Sequence, residues 1–175
     1  MAMEWFDAVS ISEVYNRLFV GGYIQASKLS HRNPFKIEAV LDVSTEPPYP
    51  EAKDIVYAHI PFDDGGGIPE AKFWACMEFL SQQYGQGKNV LIHCAAGISR
   101  SVTIAISFLT YAKIMGFDDA RRFVEQRRQI ANPHRDVMNS AKKWLQVWPY
   151  DGSLGGGPAS PNESGETKPK EKPLK

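Results

Sequence analysis

Val90-Leu91-Ile92-His93-Cys94-Ala95-Ala96-Gly97-Ile98-Ser99-Arg100-Ser101 decides the fold. Residues 89–93 form a short apolar run with the character of a buried strand, and an apolar stretch of helical length begins at Ser101. The seven residues between them therefore sit at the carboxyl end of a strand and at a helix N-terminus, where successive backbone N–H groups converge on an anion. Gly97 lets the backbone curl tightly, because it tolerates positive φ and has no Cβ to obstruct a ligand. Cys94 and Arg100 bracket five residues, so both side chains can face whatever the loop holds. Helix dipole, loop amides and Arg100 all favour a thiolate at Cys94 at neutral pH. Arg100 offers a planar fork matched to two phosphoryl oxygens, which a lysine does not. An anion cradle with a thiolate at its base and a fork at its rim suits phosphoryl transfer to sulfur.

On either side of this stretch, short apolar runs alternate with longer amphipathic ones. Residues 17–20 (RLFV), 39–43 (AVLDV) and 55–60 (IVYAHI) read as further strands. Phe73, Trp74, Met77, Leu80 and Tyr84 recur at three- and four-residue steps, which predicts a helix over 71–84. The apolar run 101–115 predicts a central helix ended by Gly116. Another is expected over 118–130, capped by Asp118, and a last one starts at Asn132-Pro133 and carries Val137, Ala141, Trp144, Leu145 and Trp148. Strands alternating with helices imply an α/β domain with a central, mostly parallel sheet flanked by helices.

The chain has 175 residues and equal numbers of basic and acidic side chains, 20 of each. That balance argues against binding nucleic acid or a membrane surface by bulk charge. No apolar run approaches the ~20 residues of a membrane span, and the first ten residues lack the pattern of a secretory signal. Two cysteines, Cys76 and Cys94, are too few for a disulfide scaffold and lack zinc-site spacing. Residues 151–175 hold five Gly, four Pro and three apolar side chains, a composition that does not bury enough surface to offset the entropy of ordering. The expectation is one soluble, cytoplasmic domain over 1–150, with the nucleus also open to it, followed by a disordered tail over 151–175.

His-Cys-x-x-Gly-x-x-Arg-Ser is the signature of the cysteine-dependent protein tyrosine phosphatase superfamily, and HCAAGISRSVT resembles its dual-specificity phosphatase branch. These five residue types at these offsets arise by chance in roughly one chain in 10⁵ of this length. The likeness extends over most of residues 10–148. LFVGGYIQAS is similar to the family's first strand and turn, VLDVS to its second strand, and AHIPFDD to the strand and loop that carry the general acid.

The resemblance implies that Cys94 attacks phosphorus to form a phosphocysteine, while Arg100 and the amides of residues 95–100 hold the equatorial oxygens. It places the general acid on Asp64, with Asp63 one step away as the alternative, ahead of a Gly65-Gly66-Gly67 run that lets the loop close. Ser101 corresponds to the hydroxyl that donates to the Cys94 sulfur and makes it a better leaving group; a plain helix cap is the other reading. His93 corresponds to the histidine that tunes the thiolate from behind the loop. No metal or cofactor is implied, and His31, His59 and His134 have no ligand spacing with His93.

The chain departs from the family where Pro-Asn is common after the penultimate helix. It has Asn132-Pro133-His134 instead, which leaves open whether Asn132 or His134 braces the phosphate loop. Arg127 and Arg128 read as solvated helix arginines, with contact to a second phosphate as the sharper alternative. Cys76 reads as core, against a resolving thiol for oxidised Cys94. The expected function is a monomeric enzyme hydrolysing phosphotyrosine and phosphoserine or phosphothreonine on phosphorylated protein substrates, with no nucleic acid or membrane partner. Phosphoinositide hydrolysis meets a loop without lysine, RNA 5′-phosphatase activity meets a chain without a basic stripe, and a non-catalytic phosphate-binding module meets an intact Cys, Arg and Asp.

Overall fold

β5 (Val90–Cys94) is buried along its whole length and forms the centre of a five-stranded sheet. Residues 11–146 are described by the structure, a computed structural model, so the expected boundary at 150 and the tail beyond it lie outside the described residues. β1 (Ile11–Tyr15), β2 (Leu18–Gly22), β3 (Ala39–Asp42) and β4 (Val56–His59) complete the sheet in the order β1-β2-β5-β3-β4. β1 runs antiparallel to β2, and every other neighbour pair is parallel. The register sets Gly22 beside Cys94 and Asp42 beside His93. Three strands thus deliver their carboxyl ends to one place, the usual location of a site in an open α/β sheet.

The pleat of β5 divides the core. Val90, Ile92 and Cys94 face one cluster and Leu91 the other. On the first face pack α2 (Glu70–Gly85), α3 (Arg100–Tyr111), α4 (Phe117–Arg127) and α5 (Arg135–Gln146), which contribute Phe73, Leu80, Ile104, Val124 and Val137 among others. The opposite face is covered by the short α1 (Tyr23–Ala26) and by connecting segments through Leu29, Ile37 and Ile55. α3 is buried on all sides. It tolerates this because its hydroxyls bond back along the helix: Thr103 Oγ1 donates to the Ser99 carbonyl at 3.0 Å and Ser107 Oγ to the Thr103 carbonyl at 2.7 Å.

Four helix boundaries differ from expectation, one of them the end of α4, which stops at Arg127 rather than 130 because Arg128 leaves helical backbone (φ −125°, ψ 83°). α3 stops at Tyr111 rather than at Gly116, because Lys113 takes the left-handed conformation (φ 56°) that ends a helix. Gly116 then serves as the extended residue ahead of α4, and Asp118 lies in the first turn, paired with Lys142 at 3.0 Å, instead of capping. α5 begins at Arg135: the His134 ring accepts the Asp136 N–H at 3.3 Å, so the cap is His134, and Asn132-Pro133 lie outside the helix. β1 is absent from the expected strands, because ISEVY does not alternate apolar and polar residues and its register shifts between Glu13 and Tyr15.

Arg128 corrects the expectation of solvated arginines. It follows α4 and is 1% exposed. Its Nε donates to the Gly97 carbonyl, and its Nη1 to Ser12 Oγ at 3.0 Å and the Val20 carbonyl at 3.2 Å. Gly97 itself has φ 68°, and a Cβ there would run into Arg128 Nη2 and the Gly21 carbonyl. Gly97→Ala should therefore destabilise the fold by clearly more than the ~1–2 kcal/mol of a left-handed backbone alone. Gly65→Ala, whose Cβ meets nothing within 4 Å, should stay within about 0.5 kcal/mol. Urea denaturation of the two variants checks this; equal shifts would contradict the packing described.

Candidate active site

The phosphate-type loop spans residues 95–99, between the last residue of β5 and the first of α3. Its shape is held from four directions. Tyr23 N–H donates to the Ala95 carbonyl at 2.9 Å, and Gly22 approaches so closely that an added Cβ would lie 3.2 Å from that oxygen. Arg128 takes the Gly97 carbonyl. Asn132 N–H donates to the Ile98 carbonyl at 2.9 Å, and His134 N–H to Ser99 Oγ at 2.9 Å. The question left open between Asn132 and His134 thus resolves onto both, each acting through its backbone N–H. These bonds take up the Ala95, Gly97 and Ile98 carbonyls, while the Gly97 N–H turns toward the Cys94 sulfur.

Cys94 is 3% exposed. Its sulfur accepts the Gly97 N–H at 3.3 Å and lies 3.3 Å from Ser101 Oγ. Ser101 is fully buried in the first turn of α3, and its hydroxyl faces the sulfur rather than the helix backbone. Arg100 is also buried; its Nη1 donates to the Phe62 carbonyl at 3.1 Å, while its Nε has no partner among the described residues. A buried, unsatisfied donor costs about 1–3 kcal/mol, so this guanidinium N–H is available to an acceptor bound at the loop.

Phe62 belongs to the loop after β4, and Arg100 thereby ties that loop to the base of the site. Lys72 Nζ donates to the Pro61 carbonyl, Ser140 Oγ accepts Ile68 N–H at 2.8 Å, and Trp144 Nε1 donates to the Ile68 carbonyl at 2.8 Å. Between these anchors Asp64 receives a hydrogen bond from Ser99 Oγ. Asp63 is exposed and makes no hydrogen bond to the phosphate loop among the described residues. Of the two candidate acids, Asp64 is the one brought to the site.

Behind the loop, His93 is fully buried. Its Nε2 lies 2.8 Å from Tyr49 Oη and 3.6 Å from Asp42 Oδ1, and its Nδ1 lies 3.3 Å from the Cys94 carbonyl. Burial holds the imidazole below its ordinary range, against the pull of Asp42. Burial, reinforced by Asp42, drives the Tyr49 phenol well above its own range. A phenol that keeps its proton donates to Nε2, which assigns the neutral ring its proton on Nδ1, directed at the Cys94 carbonyl. Neither Tyr49 nor Asp42 was singled out from sequence; Asp42, at the end of AVLD and in register with His93, was the available signal. Cys76 is buried in the core on α2, and burial pushes its thiol up to about 12, which makes it an inert packing residue.

No described helix is long and apolar enough to cross a membrane. Residues 18–146 match the family described as "Dual specificity phosphatase, catalytic domain". The chain is 35% identical over 118 residues to human dual specificity protein phosphatase 15, covering 67% of this chain and 40% of the relative. It is 35% identical over 137 residues to dual specificity protein phosphatase 1B of Arabidopsis thaliana, covering 77% and 81%. The crystal structure of DUSP15 superposes with a TM-score of 0.68 at 29% identity, over 83% of this chain and 91% of that one. A human tyrosine phosphatase-like serine/threonine/tyrosine-interacting protein superposes with a TM-score of 0.69 at 23% identity, covering 80% and 98%, and shows the fold alone. The chain spans about half or less of the mammalian phosphatase 15 relatives it matches. With the match running from the second strand to the last helix, the chain belongs to the dual specificity phosphatase catalytic domain family.

Proposed function

We propose that this protein hydrolyses phosphotyrosine and phosphoserine or phosphothreonine monoesters on proteins, through a phosphocysteine at Cys94. The observation that carries the reading is the pairing of a sulfur held by the Gly97 N–H and set beside the Ser101 hydroxyl with a buried Arg100 Nε that has no acceptor. A phosphoryl group seated in the loop would supply that acceptor, with its phosphorus above the sulfur.

In the first step the Cys94 thiolate attacks phosphorus in line. The bond to the ester oxygen breaks, and that oxygen leaves with a proton from Asp64, while loop amides and Arg100 hold the equatorial oxygens. In the second step Asp64, now a carboxylate, takes a proton from water as the water attacks the phosphocysteine. The S–P bond breaks, phosphate leaves, and the Ser101 hydroxyl donates to the departing sulfur. Two free cysteines and thiol-dependent chemistry suit a reducing compartment, which supports placing the enzyme in the cytoplasm. Ala95, Ala96 and Ile98 give the loop no cation beyond Arg100 for a second phosphate, which supports phosphoproteins over phosphoinositides.

Cys94→Ser should abolish turnover while retaining phosphate-ester binding, and Arg100→Lys should lose ~10²-fold or more in kcat by losing the fork in the transition state. Steady-state kinetics on phosphotyrosyl and phosphothreonyl peptides check both; near wild-type rates in either variant contradict the mechanism.

Asp64→Asn should slow aryl phosphates with poor leaving groups far more than those with good ones, since only the former need the proton. The same pattern in Asp63→Asn instead would move the role to that neighbour, against the contact with Ser99.

Ser101→Ala should slow breakdown of the phosphocysteine and barely affect its formation. Stopped-flow mixing with a fast aryl phosphate should then show a burst of phenol near one equivalent, followed by a slow steady state. A trace without a burst, at wild-type kcat, would leave the hydroxyl without a role in turnover.

A further inference from the structure

Ser99 occupies the position before α3 where a hydroxyl ordinarily caps the helix by accepting one of its first N–H groups. It does not do so here: the N-cap residue makes no side-chain hydrogen bond to its own helix. Its hydroxyl is 5% exposed at the residue level and points away from the helix start, accepting the N–H of His134 at 2.9 Å and donating to Asp64 Oδ1. One buried hydroxyl therefore joins three segments: the phosphate loop, the entry to α5 and the acid loop. The helix amides it leaves uncapped remain available to an anion in the loop.

We infer that Ser99 is a positioning residue, a latch that sets the general acid over the phosphate loop by bonding Asp64 Oδ1. The inference rests on the reading of Asp64 as the acid. The His134 N–H orients the hydroxyl by occupying one of its lone pairs, so its single proton goes to Asp64. With Oδ1 accepting, the transferable proton resides on Oδ2, and the same bond persists when Asp64 is a carboxylate in the second step. The acid loop is fixed at Phe62 and Ile68, but within it Asp64 is held to the phosphate loop by this hydroxyl.

The test compares Ser99→Ala, Asp64→Asn and the double variant on a series of aryl phosphates of graded leaving-group ability, with melting temperature measured alongside. Ser99→Ala should slow poor leaving groups by ~10-fold more than good ones, part of the 10²–10⁴-fold that a general acid contributes, whereas loss of the bond from His134 falls on both alike. In the double variant, removing the hydroxyl should add little to Asp64→Asn, because the latch has nothing left to place. Ser99→Thr keeps the hydroxyl and should restore the rate on poor leaving groups. An equal loss on all substrates in Ser99→Ala, or effects that multiply in the double variant, would reduce Ser99 to a structural hydroxyl and overturn the latch. If Asp64→Asn itself shows no leaving-group selectivity, the acid assignment fails and the latch with it; selectivity in Asp64→Asn but not in Ser99→Ala overturns the latch alone.

Discussion

The site depends on a guanidinium beneath it. Arg128 is buried after α4 and spends its donors on the Gly97 carbonyl, the Val20 carbonyl and Ser12 Oγ. A loop whose amides must converge on an anion has carbonyls that must point elsewhere, and each needs a partner when buried. Arg128 supplies that partner at the loop's tightest point. Burial lowers its pKa to about 10, against the opposing pull of nearby Cys94. It stays a cation at neutral pH, a buried positive charge beneath the loop. Gly97 cannot be another residue for the same reason, since the space of its missing side chain is filled by Arg128 and Gly21.

The polar groups behind the loop follow a related logic without a fixed positive charge. His93 sits on the central strand, where parallel neighbours on both sides leave no water to solvate an imidazolium. The fold keeps the ring neutral and gives both nitrogens partners, Tyr49 Oη on one side and the Cys94 carbonyl on the other. Asp42, the nearest carboxylate, is itself occupied by the Ser44 N–H at 2.8 Å. Orientation of the Cys94 backbone, in the residue that carries the sulfur, is what this network controls.

How much of this was legible in the sequence varied with the range of the interaction responsible. The strand before Cys94, the loop and the helix after it follow from local apolar runs, and the motif's offsets put Cys94, Arg100 and Ser101 together without any long-range knowledge. Helix ends were less legible, because Lys113 ends α3 with a left-handed turn that a lysine adopts under tertiary constraint, whereas Gly116 carried the usual signal and does something else. Sequence alone presents Arg128 as solvated, because two adjacent arginines on an amphipathic helix usually are. Its acceptors lie 31, 108 and 116 residues away, and nothing local announces them. The brace at Asn132 and His134 was illegible for a different reason: it is made by backbone N–H groups, which every residue but proline possesses.

The acid loop combines two demands that pull in opposite directions. In the proposed mechanism Asp64 is placed closely enough to hand over a proton, yet the loop must also release product and admit the next substrate. The anchors at Pro61, Phe62 and Ile68 fix where the loop starts and ends, so closing it requires ordering only the few residues between. A single hydrogen bond of about 1 kcal/mol shifts a two-state balance by less than tenfold, and the exposure of Asp64 keeps that bond at the weak end of its range. The placement of Asp64 against Ser99 is then favoured without being locked. A stronger tie, such as a buried ion pair to Asp64, would hold the side chain in place at the expense of release, and it would also compete for the carboxylate that, in the proposed second step, accepts a proton from water. A neutral serine hydroxyl satisfies both demands: it donates to the acid and to the carboxylate alike, and it adds no charge to a cradle built to hold a phosphoryl group.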